Sequence, residues 1–483
     1  MIIERTCRFA GMFFPADRAQ LAAAVQTHLK AAEDAGSTGA AEPRAIVSAH
    51  AGYQYSGRFA GLSFASVTWK PARVVVISPS HRHRFRGLAY PSQDVFSTPV
   101  GALAIDRAAC ASLGEAGLAH EEDAAHDNEH GIETQLPFIR TLWPEARIVP
   151  LVCGDVPPEK VAAAIDALAG PETLVVLSSD LSHFLTHEEA RRKDSETAWL
   201  IETGDAEALT PYHACGACGI QGWLMSQSGQ AAKALRLGMG DSSAVTGDHS
   251  QVVGYGSWAF YPEGAPILSR RSQEELLGLA RGTIAGRLAE GRGATSSPEH
   301  ASAPLQTVAA SFVTLTLDGD LRGCIGSPTA RRPLAMDVAE NAIGAGFRDP
   351  RFEPLTAAEL PDLRIKVAVL GKAVKMAFAD EEDALSRIEP GRDGLILSTA
   401  AHRGLLLPAV WETLPQPRAF LEALKLKAGL PRRYWSEHVT LHRFRVESFS
   451  ESVSSSLRTC ARTGGAPASN ASWVDSTSSE TEM

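Results

Sequence analysis

Four continuous apolar runs constrain this chain more than anything else in it: AIVSAH (residues 45–50), VVVISPSH (74–81), RIVPLVCGD (147–155) and TLVVLSSDLSH (173–183). A strand that is apolar at every position, instead of every second one, is buried on both faces. Helix-like stretches lie between some of these runs, AQLAAAVQTHLKAAEDAG (19–36) and PEKVAAAIDALAG (158–170). The alternation predicts an α/β fold with a mainly parallel central sheet covered by helices on both sides.

The pattern breaks at YPEGAPILS (261–269), where two prolines and a glycine interrupt any periodicity. Beyond it, Ser272 and Glu275 have capping-box spacing, and Leu276, Ala280, Ile284 and Leu288 recur every four residues, so a helix is expected to open a second unit. SFVTLTLDGDLRGCIGS (311–327) predicts a hairpin turning at Asp318-Gly319. Hairpins mixed with helices make this unit α+β. The expected organisation is a first domain over 1–262, a linker over 263–271 and a second domain over 272–452. The Ser/Thr/Gly-rich stretch 453–483 is expected to be a disordered tail.

At 483 residues, two or three domains is the prior expectation, and 44% apolar with 21% charged residues is the profile of a soluble globular protein. The net charge of −10 argues against nucleic acid as a partner. Most of it falls in residues 1–262, which carry 20 basic and 29 acidic side chains. No run approaches the roughly 18 apolar residues of a membrane helix. The N-terminus has no basic segment followed by a long apolar one. Seven scattered cysteines suit a reducing compartment. The expected location is cytoplasmic.

Three of the four strands end in groups able to bind a metal: His50, then His81 and His83, then Asp180 and His183. In an open parallel sheet the carboxyl ends of the strands share one edge, and the crevice there takes ligands. Positions remote in sequence would converge there. HACGACGIQGWL (213–224) adds Cys215 and Cys218 at the start of a helix, where partial positive charge favours thiolate. DNEHGIETQLPF (127–138) adds Glu129, His130 and Glu133 near another helix start. Each has a plainer reading. A buried histidine is commonly a satisfied core group, a lone cysteine an inert thiol, and Asp180 a cap. His83 alternates away from His81 and reads as a surface residue. The repeated strand-end placement favours a shared metal site.

The motifs AGMFFPAD, SAHAGYQYSG, SPSHRHRF, DNEHGIETQLPF, SSDLSH and CGACGI, over residues 7–261, resemble the Memo family in order and spacing. Memo proteins are similar in fold to the class III extradiol ring-cleaving dioxygenases. The resemblance implies metal ligation by His50, His81 and Cys215, with Asp180 and His183 as further pocket groups. Residues 268–452 resemble the AMMECR family through LRGCIGS (321–327), FRDPRFEPL (347–355), DGLIL (393–397) and GLLLPAV (404–410). The pairing is similar to the AmmeMemoRadiSam system, which adds a radical S-adenosylmethionine protein. This chain has no C-x-x-x-C-x-x-C, so that component would be a separate partner.

Two imidazoles and a carboxylate at Fe(II) leave open positions for substrate and oxygen. His183 would act as acid/base beside them. Here Cys215 stands in for the carboxylate, and a soft thiolate shifts preference toward copper, zinc or thiolate-ligated iron. Ring cleavage therefore does not carry over with the fold. Cys218 is an alternative ligand to Cys215 or a disulfide partner for it. A zinc hydrolase would use the same ligands with Glu133 or Asp180 as general base. A non-enzymatic module binding a peptide or partner in the same pocket is the rival from another class. In the second unit Arg322 and Cys324 are the polar candidates, against a structural reading in which Gly323 and Gly326 shape a strand exit and Arg322 pairs with a carboxylate. The substrate, a small molecule or a protein, and the oligomeric state are not readable.

Overall fold

The computed structural model describes residues 2–35, 40–289 and 297–451. The expected tail over 453–483 lies outside the described residues. All four apolar runs are strands: Ala45–Ser48, Arg73–Pro79, Arg147–Cys153 and Thr173–Ser178. They lie side by side in the order 45–48, 173–178, 73–79, 147–153, and every pairing among them is parallel. Their side chains are almost wholly buried on both faces, which is what a run without alternation requires.

The sheet is less uniform than the sequence suggests. It has nine strands, and both pairings that flank the central four are antiparallel, while the outermost pair, Leu88–Tyr90 with His120–Glu121, is parallel again. On one side Val252–Tyr261 runs antiparallel to Ala45–Ser48 and also pairs with Lys233–Asp241 and His183–Leu185. On the other side Leu88–Tyr90 runs antiparallel to Arg147–Cys153. A mixed sheet with a parallel centre is therefore the correction. The marginal strands are short or interrupted by glycine, so their apolar runs carry little signal. Helices Arg18–Ala35 and Pro158–Leu168 form where helical patterns stand in the sequence.

Beyond residue 262 the chain forms two four-stranded antiparallel sheets. The 311–327 hairpin is present as strands Ser311–Leu317 and Asp320–Gly326, with Asp318 and Gly319 both at positive φ, as a tight hairpin turn needs. The helix after the break is Arg270–Leu288, and its cap differs from the expected box. Ser269 is the N-cap and accepts the Ser272 backbone N–H, while Glu275 takes the backbone N–H and hydroxyl of Ser302. The helix starts one turn earlier than the Ser-x-x-Glu spacing implies.

Candidate metal centre

The parallel strands deliver their candidate side chains with a common offset. His50 lies two residues past Ser48, His81 two past Pro79, and Asp180 two past Ser178. Because these strands are parallel neighbours, with Ser48 level with Ser178, all three positions reach the same sheet edge. His130 arrives from elsewhere, as the first residue of the short helix His130–Glu133. Ligand nitrogens of His50, His81 and His130 lie within 4.8 Å of one another. Their ring centroids are 5.0, 5.3 and 4.4 Å apart in pairs. Imidazoles sharing one ion at metal–nitrogen distances of about 2.0–2.1 Å have centroids about 4.5–5.2 Å apart; the 5.0 Å pair falls inside that span and the other two miss it by about 0.1 Å.

The outer nitrogens are fixed by partners that decide the tautomers. The Ser178 hydroxyl donates to the Gly131 carbonyl at 2.6 Å and accepts from the Gln135 amide at 3.0 Å. With its only proton used, Ser178 Oγ must accept from His50 Nδ1 at 2.9 Å. His50 Nε2 is thereby left with a lone pair. His81 Nδ1 meets Glu129 Oε1 at 2.8 Å, and Glu129 also takes the backbone N–H groups of His81 and Gly131. Against the opposing effect of burial, these bonds hold the Glu129 carboxyl down to about 2. His81 Nε2 is free in turn. This carboxylate–histidine arrangement orients metal-ligating imidazoles. Gly131 is required for its closeness: a Cβ there would lie 2.2 Å from Ser78 Oγ and 3.2 Å from His50 Nδ1. His130 Nδ1 is buried, 3.7 Å from Glu129 Oε1, and has no hydrogen-bond partner among the described residues, an orphaned atom of the kind an ion would satisfy.

Burial, and then the repulsion that a second protonated imidazole would add, pushes His50 and His130 down to about 3. Both rings are therefore neutral and able to ligate near neutral pH. Cys215 Sγ lies 3.2 Å from His50 Nε2 and accepts the Asp180 backbone N–H at 3.2 Å. It precedes the helix Ala217–Met225 by two residues. The expected thiolate is not favoured: burial, with Asp180 nearby, drives the thiol up to about 12. Desolvation outweighs the helix end, so an ion must supply the charge that ionises this sulfur. Cys218 faces another way, hydrogen-bonding with Cys153 and approaching the Val156 carbonyl at 3.4 Å. It is neither beside the histidines nor bonded to Cys215, and both cysteines are free thiols.

Asp180 accepts the His50 backbone N–H at 2.8 Å and its other oxygen lies 3.9 Å from His50 Nε2; burial raises its pKa. His183 Nδ1 donates to the Leu181 carbonyl at 2.9 Å, which leaves Nε2 as an acceptor. His83 stands apart, 3.6 Å from Glu122. Glu133 has a different job from the proposed base. Fully buried, it is paired with Arg5 at 2.6 Å and accepts from the Cys7 thiol and the backbone N–H groups of Arg8 and Phe9. With its lone pairs filled, it anchors the N-terminal segment to the site. That segment then packs Phe13 on the His130 ring, centroids 4.5 Å apart. Phe13 also lines a cavity of about 400 Å³ with Met12, Gln54, Tyr55, Val253 and Tyr255.

His130 is the residue that sequence reasoning did not place at the centre as a ligand. Its signal was its position after Glu129, whose carboxylate caps the same short helix and holds His81. In the second unit, Arg322 Nε pairs with Glu359 at 2.7 Å and Cys324 Sγ lies 3.2 Å from Thr314 Oγ1.

Comparison with known proteins gives a family match in each part of the chain. Residues 5–259 match the Memo-like protein family and residues 277–449 match the AMMECR1 family. A MEMO1 family protein of Thermotoga petrophila is 31% identical, covering 52% of this chain and 98% of its own. One from Methanopyrus kandleri is 31% identical, covering 53% of this chain and 99% of its own. An uncharacterised Pyrococcus horikoshii protein of known crystal structure is 33% identical, covering 38% of this chain and 93% of its own at a TM-score of 0.36. With a Memo-like match across more than half its length and an AMMECR1 match after it, the chain belongs to the Memo-like protein family.

Proposed function

We propose that this protein is a cytoplasmic metal-dependent oxidoreductase of dioxygenase-like fold, acting within an AmmeMemoRadiSam system on a small-molecule or protein substrate. His50, His81 and Cys215 hold iron or copper, and His130 stands ready as a further donor. One observation carries the reading: three histidines offer ligand atoms within 4.8 Å of one another, and a cysteine sulfur lies 3.2 Å from one of those rings. Neutral imidazoles with thiolate suit copper, iron or zinc better than magnesium or calcium. A bound iron or copper ion would supply one-electron redox chemistry and Lewis acidity.

The surrounding residues then have definite tasks. Glu129 and Ser178 hold two rings in the ligating tautomer. His183 Nε2 is the proton acceptor, and buried Asp180, whose pKa is raised, is a proton carrier beside it. The cavity next to Phe13 receives the substrate. The hydrolytic zinc alternative is weaker because Glu133, one of its two general bases, is engaged by Arg5 and two backbone N–H groups.

The test is anaerobic purification followed by metal analysis of the native chain and of His50→Ala, His81→Ala and Cys215→Ser. Stoichiometric iron or copper, lost in all three variants, is expected; oxygen consumption with catechols is then measured. A natively folded chain that takes up no metal would instead favour the non-enzymatic binding module. Co-purification with a radical S-adenosylmethionine protein tests the system assignment.

A further inference from the structure

A second pair of histidine rings in contact lies away from the His50 cluster. His187 is the first residue of the helix His187–Thr203, and His249 sits in the exposed loop between the strands Lys233–Asp241 and Val252–Tyr261. The His187 backbone N–H donates to the His249 carbonyl at 2.9 Å, which ties the loop to the helix start. The two rings stand 4.8 Å apart, centroid to centroid, at 85°. That separation falls inside the span of about 4.5–5.2 Å for two imidazoles on adjacent positions of one ion.

Asp241 makes this more than a packing pair. One carboxylate oxygen accepts the backbone N–H and the hydroxyl of Ser243, and the other lies 2.7 Å from His187 Nδ1. An ionised carboxylate only accepts, so His187 Nδ1 carries the hydrogen and Nε2 keeps its lone pair. Asp248, next to His249 in sequence, and Glu188 and Glu189, next to His187, make the neighbourhood acidic. No Lys or Arg occurs between residues 237 and 269 to oppose a cation from this loop.

We propose that His187 and His249 form an accessory site for a divalent transition ion of the Zn²⁺ or Ni²⁺ type, with water completing its shell and Asp241 as the outer carboxylate. The site does not depend on the His50 centre. Its consequence is local: Ser242 and Thr246, on the same loop, line the cavity beside Phe13. An ion joining His249 to His187 fastens that wall to the helix and sets how freely the cavity opens.

The test uses the whole chain, stripped with a chelator and titrated with Zn²⁺ alone against a chromophoric competitor. The expected result is one zinc equivalent that is weakened roughly 100-fold or more by His249→Ala, and 10–100-fold by Asp241→Asn, as removal of an outer carboxylate does. His249 is exposed, so its replacement carries no folding burden. The same equivalent persists in the His50→Ala/His81→Ala double variant, which separates this proposal from the reading of the first centre. With Co²⁺ as the probe, this equivalent adds visible d–d absorption without a thiolate charge-transfer band. A zinc isotherm that His249→Ala leaves unchanged overturns the proposal.

Discussion

Two polar clusters in this chain are built on strands, one past the strand ends and one within a strand, and they use their bonding capacity in opposite ways. At the carboxyl edge of the parallel sheet, three histidines each spend one nitrogen on a hydrogen bond to the scaffold. His50 is held by Ser178, His81 by Glu129 and His183 by the Leu181 carbonyl. On the Asp320–Gly326 strand, the charges are turned toward each other. Arg322 pairs with Glu359 through two nitrogens, Arg351 grips Asp349 through two more, and Asp349 takes the Cys324 backbone N–H at 2.8 Å. Arg322 Nη1 is the nitrogen this brace leaves over. Side-chain chemistry alone does not mark a site; what remains unspent after the scaffold has been satisfied does.

This contrast can be broken at several points. The largest effect is expected at the proposed metal ligands. His50→Ala or His81→Ala removes bound metal altogether by elemental analysis, whereas Cys324→Ser leaves metal content unchanged. Glu129→Gln keeps the shape but not the charge behind His81, and metal affinity falls about 10–100-fold in a chelator competition. In the brace, Gly323→Ala places a Cβ 2.0 Å from the Ala345 carbonyl oxygen, backbone that cannot step aside. A loss of about 1–3 kcal/mol by denaturant unfolding follows, with metal content preserved.

Acid separates the two clusters as well. In the metal-stripped protein, burial holds His50, His126 and His130 down to about 3, against 6.5 for exposed histidine. The unfolded chain therefore binds protons that the folded one refuses. Stability falls as pH drops below about 6.5, by up to about 1.4 kcal/mol per unit for each ring, and levels only near 3. Asp349, lowered to about 2 chiefly by Arg351, acts later. Its contribution is complete above 3.8 and disappears as pH falls through 2. Urea unfolding across pH 7 to 3 that shows no decline above pH 4 breaks this account. The smallest effect is Arg322→Gln, about 1 kcal/mol or less for a partly exposed pair, again without change in metal content.

The sequence made the centre legible because burial and periodicity are local properties. Continuous Val/Ile/Leu runs declared the four parallel strands, and residues that interrupt such runs at their ends declared His50, His81 and Asp180. The 318–319 turn was readable for the same reason. Partnerships across long separations were not. Glu133 looked like a free base until Arg5, 128 residues away, filled its lone pairs. His130 looked incidental because its helix approaches the sheet edge from outside it. Cys215 looked ionised because a helix start is visible in sequence and burial is not. The antiparallel margins of the sheet escaped notice since their strands are short or glycine-broken.

The protonated state of Cys215 carries one last implication. A sulfur that holds its hydrogen up to about 12 cannot greet an arriving cation as an anion. If Cys215 is a ligand as proposed, loading expels that hydrogen, so occupancy would rise with alkalinity and favour thiophilic ions over the far more abundant magnesium. Entry would then be conditional on breaking an S–H bond, and the threshold itself would sort the metals.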